Sequence, residues 1–254
     1  MTIEQEQMLQ MLRVFSEICE NHHLCYYLAG GSLLGAVRHR GFIPWDDDID
    51  VSMPLGDFLR FQTLAAELPE NVVIQSGSSD PRYPFVFMKL CNTAYPFPTE
   101  NHTGPWGVYI DIFPLIPAKR LCLSTRFCFS TIHVIDYVLQ VKVGWTAFIP
   151  YKSSVARLGF RMLNCQNVGS LKRLRERLIG YIYDPDSKET LCSPGGAYKA
   201  DKEFFPAAWY AAAVAAAFEG ENFRAPIGWQ AYLSRNYGNY MELPPEEERC
   251  SRHK

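Results

Sequence analysis

The sequence has no excess of positive charge and no paired cysteine motif. Its 25 lysines and arginines are outnumbered by 27 aspartates and glutamates, which gives a net charge of -2. A generic nucleic-acid binder usually carries a strong basic excess, so a nucleic-acid partner is not expected. The eight cysteines include no C-x-x-C pair, so the paired spacing that is typical of zinc sites is missing.

Long apolar runs and a secretion signal are also missing. The most apolar region, residues 121–149, is interrupted by Arg126, His133, Asp136 and Lys142. It therefore cannot supply the roughly 18 uncharged residues that a transmembrane helix needs. The first residues, MTIEQEQ, are acidic and polar, where a signal peptide would be basic and then apolar. We therefore expect a cytoplasmic protein with reduced thiols, and peripheral association with the inner face of a membrane is left open.

Hydrophobic periodicity divides the chain into an α/β half and a helix-rich half. About half of the residues, 48%, are hydrophobic, which is enough to bury a sizeable core. We predict an α/β (α+β) core over residues 1–117 and a mostly helical extension over 118–254, with one continuous domain as the alternative. The alanine-rich segment at 211–217 is interpreted either as a natural helix or as one whose exposed charges were replaced. The predicted elements are helices at 3–22, 32–39, 55–68, 121–143, 153–183 and within 203–220, and strands at 25–30, 48–53, 71–77, 83–90 and 108–113, the last closed by Pro114.

The chain does contain an unusual acidic stretch, GGSLLGAVRHRGFIPWDDDIDVSM, at residues 30–53. Alternate side chains of a strand point to opposite faces, so Asp48 and Asp50 are predicted to share one face of the DIDV strand. On the later VYIDIF strand, Asp111 points away from the face formed by its isoleucine neighbours. If the two strands are adjacent, three carboxylates meet and repel each other unless a cation compensates them. Oxygen ligands without histidine favour Mg²⁺ or Mn²⁺, which commonly bridge nucleotide phosphates.

The residues upstream of the aspartates fit a phosphate site. Two glycines allow the backbone to approach a ligand, and the serine after them offers a hydroxyl and the free N–H groups of a helix start. Basic residues further along can pair with a phosphate, whereas His39 either holds the turn or contacts the phosphate. A lone GGS or D-x-D is usually a turn or a solvated strand end, but their order along this chain predicts a site. The predicted phosphate- or nucleotide-binding residues are Gly30, Gly31, Ser32, Arg38, His39 and Lys89.

These motifs resemble the LicD family of phosphocholine transferases, which includes the fukutin-type proteins and has a nucleotidyltransferase-like fold. The resemblance rests on YYLAGGSLLGAVRHRGFIPWDDDIDVSM, on GVYIDIFPL and on the late FEGENFRAPIGWQAYLSRNYGNYMELPP. It implies a mixed sheet flanked by helices. It also implies transfer of a phosphoalcohol, most often phosphocholine, from a CDP-activated donor to a glycan hydroxyl. Such glycans include precursors of lipopolysaccharide and teichoic acid, some of which are lipid-linked.

The resemblance also implies roles for individual residues. Asp48 and Asp50 match the D-h-D metal ligands, and Asp111 matches a third carboxylate that binds metal or acts as the general base. Gly31 and Ser32 match the phosphate turn, while Arg38 matches the basic residue after the short helix. The residue types therefore agree with the site inferred from the pattern, with Mg²⁺ or Mn²⁺ as the expected cofactor.

The donor alcohol and two rival functions are left open by the sequence. Relatives use choline, ribitol or other alcohols, and a quaternary ammonium would need an aromatic cage, for which Tyr95, Phe97, Trp106 and Tyr109 are available. One rival is a nucleotidyltransferase that moves a nucleoside monophosphate onto a small molecule. The other is a non-catalytic nucleotide-binding protein with a degenerate site. The products distinguish the phosphoalcohol transferase from the nucleotidyltransferase, because the first releases CMP and the second releases diphosphate.

Overall fold

The strands form one mixed sheet and a separate hairpin. The computed structural model describes residues 1–96, 104–146 and 154–249. The sheet strands are β1 (Tyr27–Leu28), β2 (Asp50–Pro54), β3 (Val72–Gln75), β4 (Met88–Asn92), β5 (Val108–Pro117), β6 (Thr190–Cys192) and β7 (Phe204–Pro206). Their order is β1-β2-β5-β4-β3, and β6 and β7 continue from the far end of β5. The β2–β5 pair is parallel and the other pairs of these strands are antiparallel, with β2, β5 and β4 at the centre.

Helices flank this sheet. The α-helices of the described chain are α1 (Ile3–Asn21), α2 (Gly30–Arg38), α3 (Leu55–Thr63), α4 (Leu123–Val143), α5 (Ser154–Asn164), α6 (Val168–Ile182), α7 (Ala200–Glu203) and α8 (Trp229–Tyr237). The first helix begins at a capping box formed by Thr2 and Gln5. Its buried face carries Phe15, whose ring meets the rings of Tyr26 and Phe61 edge-on at centroid distances of 5.0 and 4.9 Å. The predicted mixed α/β class with flanking helices is confirmed.

The sheet continues across the predicted boundary at residue 117. The strand predicted at 108–113 does not end at Pro114, because its last residues pair with β6, with Ile116 opposite Cys192. The division of the chain at 117 stays a prediction, but the later half adds two strands to the core sheet. The helix predicted at 153–183 is two helices, α5 and α6. None of the helices in the described ranges has the length and apolarity needed to cross a bilayer.

The alanine-rich segment is a strand, so the helix predicted for it is wrong. It forms β8 (Ala213–Phe218), which pairs antiparallel with β9 (Glu221–Pro226). Glu219 and Gly220 make a two-residue turn with φ values of 49° and 82°, a geometry that suits the twist of a hairpin. Phe218 is fully buried at the end of β8. Strand pairing and side-chain burial outweigh the helix preference of alanine here, so local composition was misleading.

Candidate active site

Asp50 and Asp111 lie side by side on the two parallel strands. The register of β2 and β5 places Asp50 opposite Asp111, and the Asp111 N–H donates to the Ile49 carbonyl at 2.8 Å. On the other side of β5, Lys89 of β4 is opposite Asp111. Three polar side chains therefore form a row across three adjacent central strands. The prediction that the two aspartate strands are neighbours is confirmed.

Two further acidic side chains, from the loop before β2, line the same cavity as Asp50 and Asp111. That strand begins at Asp50, so Asp48 lies in the preceding connection and does not share the strand as the alternation predicts. Asp46 also belongs to the connection, where its N–H donates to the Ile43 carbonyl at 2.9 Å. All four carboxylates, including that of Asp111, line one cavity. The convergence of the aspartates therefore depends on the loop as well as on the sheet.

Lys89 is the ion-pair partner of Asp111. Its ammonium donates to both carboxylate oxygens of Asp111, at 2.6 and 2.9 Å, and both side chains are buried. The same Nζ lies 3.5 Å from the centroid of the Tyr109 ring, a cation–π distance. The structure thus places Lys89 as a partner of Asp111, where the sequence pattern predicts a phosphate partner.

The aspartates carry more negative charge than this lysine can balance. Burial raises the pKa of Asp50 well above its ordinary value, and the charges of Asp48, Asp111 and Asp46 raise it further. Lys89 lowers the pKa of Asp50 but contributes a single positive charge. Several carboxylates held together in a place that is at least partly buried favour the binding of a cation.

The donor chemistry fits a small divalent cation. Mg²⁺ in proteins is typically held by one or two carboxylates, and water and substrate phosphates complete its coordination. Asp48 and Asp50 would be those carboxylates, whereas both oxygens of Asp111 accept hydrogen bonds from Lys89. Across the described ranges, no three His, Cys, Asp or Glu side chains are grouped so as to hold a metal ion. The residues therefore fit a metal that shares its coordination with a ligand, and a requirement for Mg²⁺ or Mn²⁺ stays a prediction.

The glycine pair makes room for two of the aspartates. Gly30 is the first residue of α2 and has a positive φ of 51°. A Cβ on Gly30 would collide with the Asp50 carboxylate, and a Cβ on Gly31 would collide with the Asp46 carboxylate. The N–H groups and the dipole of a helix start favour negative charge, so the aspartates are stabilised there. The sequence predicts close approach of a phosphate to these glycines, whereas the structure shows the carboxylates of Asp50 and Asp46 next to them.

The substitution Gly31→Ala is expected to displace Asp46 and to lower the free energy of unfolding by about 1–3 kcal/mol, the usual cost of overpacking. Urea unfolding measures this change. Gly56→Ala is the matched control, because Gly56 also lies in the first turn of a helix, α3, and an added Cβ there meets nothing within 4 Å. The control is expected to be neutral or stabilising. Equal losses for both variants would contradict the role given to Gly31.

The other predicted phosphate residues have structural partners. Ser32 is buried, and its Oγ accepts the Asp50 N–H at 2.8 Å. Arg38 donates through Nη1 to two backbone carbonyls near the C-terminal end of the described chain, at 3.0 and 3.1 Å. Nδ1 of His39 accepts a hydrogen bond from the Arg38 Nε at 3.4 Å. Arg38 lines the cavity, but Ser32 and His39 are not among the described residues that do, and Ser32 fixes the backbone of Asp50 instead.

The cavity has a volume of about 1700 Å³ and a second wall that the sequence analysis did not predict. Tyr232 joins the two walls, because its hydroxyl accepts the Gly30 N–H at 3.1 Å. Tyr232 and Tyr237 of this wall lie in the late segment that carries part of the family resemblance, but no role follows for them from the motif. The other residues come from separate elements of the later half of the chain and lie in no motif. The residues of this C-terminal wall are Tyr198, Glu203, Phe205, Tyr210, Tyr232 and Tyr237.

The aromatic residues predicted as an ammonium cage do not assemble. Tyr95 and Trp106 are each 41% exposed and are absent from the described cavity lining. Phe97 lies outside the described residues. Tyr109 does line the cavity, but Lys89 lies over its ring.

Comparison with known proteins connects this site to one family. Residues 23–133 match the family described as "LicD/FKTN/FKRP, nucleotidyltransferase domain", a range that contains the glycine pair and all four aspartates. The lipopolysaccharide cholinephosphotransferase LicD of Haemophilus influenzae is 26% identical over 280 residues, covering 100% of this chain and 96% of that protein. The ribitol 5-phosphate transferase FKRP of Homo sapiens is 33% identical over 95 residues, covering 36% of this chain and 17% of that protein. The resemblance read from the motifs is thereby confirmed: residues 23–133 match this family, and the chain is homologous to both LicD and FKRP.

Proposed function

We propose that the protein transfers a phosphoalcohol, with phosphocholine the first candidate, from a CDP-activated donor to a hydroxyl of a cell-surface glycan or its precursor. The observation that carries the proposal is the row of Asp50, Asp111 and Lys89 at the cavity, in a chain similar over its whole length to a cholinephosphotransferase. FKRP, the second relative, is named as the transferase of another phosphorylated alcohol, ribitol 5-phosphate. Both names support a transferase.

The acidic cluster is the proposed position of the donor diphosphate. A magnesium ion held by Asp48 and Asp50 would neutralise the diphosphate and the charge that develops during transfer. Arg38 lines the same cavity and adds positive charge there. Ser32 keeps Asp50 in place through the backbone hydrogen bond.

Asp111 is the proposed base for the acceptor. Its carboxylate lines the cavity and is held in one orientation by Lys89. The acceptor oxygen forms a bond to the phosphorus that carries the alcohol, the bond from that phosphorus to CMP breaks, and the hydroxyl proton goes to Asp111. Ligand pockets usually measure about 300–1,000 Å³, so the larger cavity leaves room for the acceptor beside the donor. A lipid-linked acceptor and a place at the inner face of the membrane belong to this proposal.

Calorimetric titration with CDP-choline, CDP-ribitol and ATP, each with and without Mg²⁺, tests the proposal. We expect Mg²⁺-dependent binding of a CDP-alcohol, at least about tenfold weaker in Asp48→Asn because a metal ligand is lost. Asp186→Asn is the matched control, since Asp186 is exposed and is absent from the cavity lining. Phosphorus NMR then identifies the product. ATP binding with release of diphosphate would favour nucleotidyl transfer, and no binding by folded protein would favour a degenerate site.

A further inference from the structure

The C-terminal wall of the cavity contains a buried acid that the proposed reaction does not use. Glu203 is 5% exposed and lines the cavity. Its Oε1 accepts the Tyr198 N–H at 3.0 Å. A Cβ on Gly196 would collide with the carboxylate, so glycine at that position leaves the space that Glu203 occupies. Glu203 is thus a buried acidic group at the cavity that is separate from the aspartate cluster.

Aromatic rings line the same wall of the cavity as this acid. Phe205 lies near Tyr210 and Tyr232, with a centroid distance of 5.6 Å to each ring. Burial raises the pKa of both tyrosines, and the charge of Glu203 raises it further. Tyr198 adds its ring to the wall next to its backbone hydrogen bond with Glu203, and the Nζ of Lys202 lies 5.3 Å from the centroid of this ring. A carboxylate among aromatic faces is an arrangement that suits an alkylated ammonium group.

In the part of the chain that the structure describes, Glu203 has no cation at ion-pair distance. Among the described residues, no Lys, Arg or His nitrogen lies within 4.0 Å of the Glu203 carboxylate. Arg235 acts on it only at longer range, since its guanidinium stacks over Trp209 and Phe205 at 4.4 and 5.1 Å. Burial raises the pKa of Glu203 to about 8, despite Arg235 and the Tyr198 hydrogen bond, which lower it. A cation from a ligand would therefore be favoured beside this carboxylate.

The acid and the aspartate cluster are connected by one side chain. Tyr232 lies beside Glu203, and its hydroxyl accepts the N–H of Gly30. Gly30 in turn contacts Asp50 so closely that a Cβ does not fit between them. A phosphoalcohol with its phosphate near Asp50 and its alcohol along Tyr232 would therefore extend along the wall that carries Glu203.

We propose that Glu203, together with Tyr198, Phe205, Tyr210 and Tyr232, forms the subsite that binds the quaternary ammonium group of the donor alcohol. The position of the phosphate in this inference rests on the proposed function, whereas the ammonium subsite is testable with choline alone. The subsite selects choline over uncharged polyols such as ribitol, because only a cation compensates the buried carboxylate.

The first test is calorimetric titration with choline and with its uncharged carbon analogue, 3,3-dimethyl-1-butanol. Wild-type protein is expected to bind choline at least about tenfold more tightly than the analogue, since the two differ mainly in charge. Glu203→Gln keeps an oxygen for the Tyr198 N–H and is expected to remove this preference. Phe205→Leu is expected to weaken choline binding several-fold. Phe204→Leu is the matched control, because the Phe204 ring packs against Phe129 in a separate cluster and does not line the cavity.

The second test measures protons. Choline binding near pH 7 is expected to release close to one proton per site, because a cation favours the ionised form of Glu203. Titration in buffers of different ionisation enthalpy counts this proton, and Glu203→Gln should abolish its release. Arg235 stays charged, and burial raises the pKa of the remaining groups near Glu203, so they stay neutral at this pH. These groups are Cys192, Tyr210 and Tyr232.

Equal binding of choline and the analogue by wild type, or an unchanged preference in Glu203→Gln, would overturn the subsite. A parallel titration with CDP and Mg²⁺ reports on the aspartate end of the cavity. Binding of CDP without any binding of choline would refute the subsite and leave the proposed transferase intact. Selective binding of choline that depends on Glu203, without binding of CDP or CDP-choline, would support the subsite and contradict the proposed transferase.

Discussion

Asp50→Asn is expected to abolish transfer and, at the same time, to stabilise the metal-free protein. Loss of the carboxylate removes a metal ligand and should reduce turnover by roughly a thousandfold, in line with the several kcal/mol that a catalytic metal supplies. Without metal, the same carboxylate is buried among the charges of Asp48, Asp111 and Asp46. Removal of its charge should raise Tm by about 2–4 °C, which corresponds to about 1 kcal/mol in a chain of this size. Catalytic residues commonly lower stability in this way.

The pH dependence of Tm tests the electrostatic cause. The pKa of Asp50 is higher in the folded protein than its ordinary value of 3.8, so its protonated form favours folding. Its contribution to stability is fully present below about pH 3.8 and is lost as the pH rises through the folded pKa. The advantage of Asp50→Asn in EDTA should therefore appear at neutral pH and shrink in acid. A lower Tm than wild type at pH 7, or normal turnover, would contradict this account, and Asp186→Asn controls for the loss of a surface charge.

The aspartate row shows which part of the site local sequence can predict. Asp50 and Asp111 lie on segments whose neighbours alternate between apolar and polar, so their faces follow from the period of a strand. The alternation places Asp48 on the same strand, but β2 begins two residues later, at Asp50, because strand ends depend on partners that are distant in sequence. The ion pair of Lys89 with Asp111 is the clearest example of a contact that local sequence cannot predict, because it follows from the register of β4 on β5.

The C-terminal wall could not be predicted for a related reason. Glu203 lies on α7, which carries no motif, whereas Tyr232 lies on α8 within the late segment of the family resemblance, which does not show that it reaches the site. Only the folded chain brings the two residues to Gly30 and the cavity. The β8–β9 hairpin was missed because alanine has little side chain to show an alternation, and its strand character comes from pairing with β9. The motifs in the first half of the chain therefore predict the acidic residues of the site, whereas the shape of the cavity depends on contacts between residues that are distant in sequence.

Replacing Lys89 with methionine is expected to be strongly destabilising. Lys89 and Asp111 are 4% and 8% exposed, so the substitution leaves a buried carboxylate without its ion-pair partner. Breaking a buried pair on one side typically costs about 3–5 kcal/mol. Urea unfolding measures the loss. Lys119→Met is the matched control, because Lys119 also lies over a tyrosine ring, at 4.3 Å from the Tyr181 centroid, but is exposed. A loss under about 1 kcal/mol for Lys89→Met would contradict the importance of the pair.

The double variant Lys89→Met, Asp111→Asn separates the stability of this pair from its use in catalysis. If the single losses come from an uncompensated charge, the double variant should recover much of the stability that Lys89→Met loses. Strictly additive losses would instead show that the two side chains contribute independently. Burial of two charges is costly even when they are paired, so the double variant could be at least as stable as wild type. It would nevertheless be inactive under the proposed mechanism, because it lacks Asp111. That combination would indicate that the pair is kept for activity, and not because it stabilises the fold.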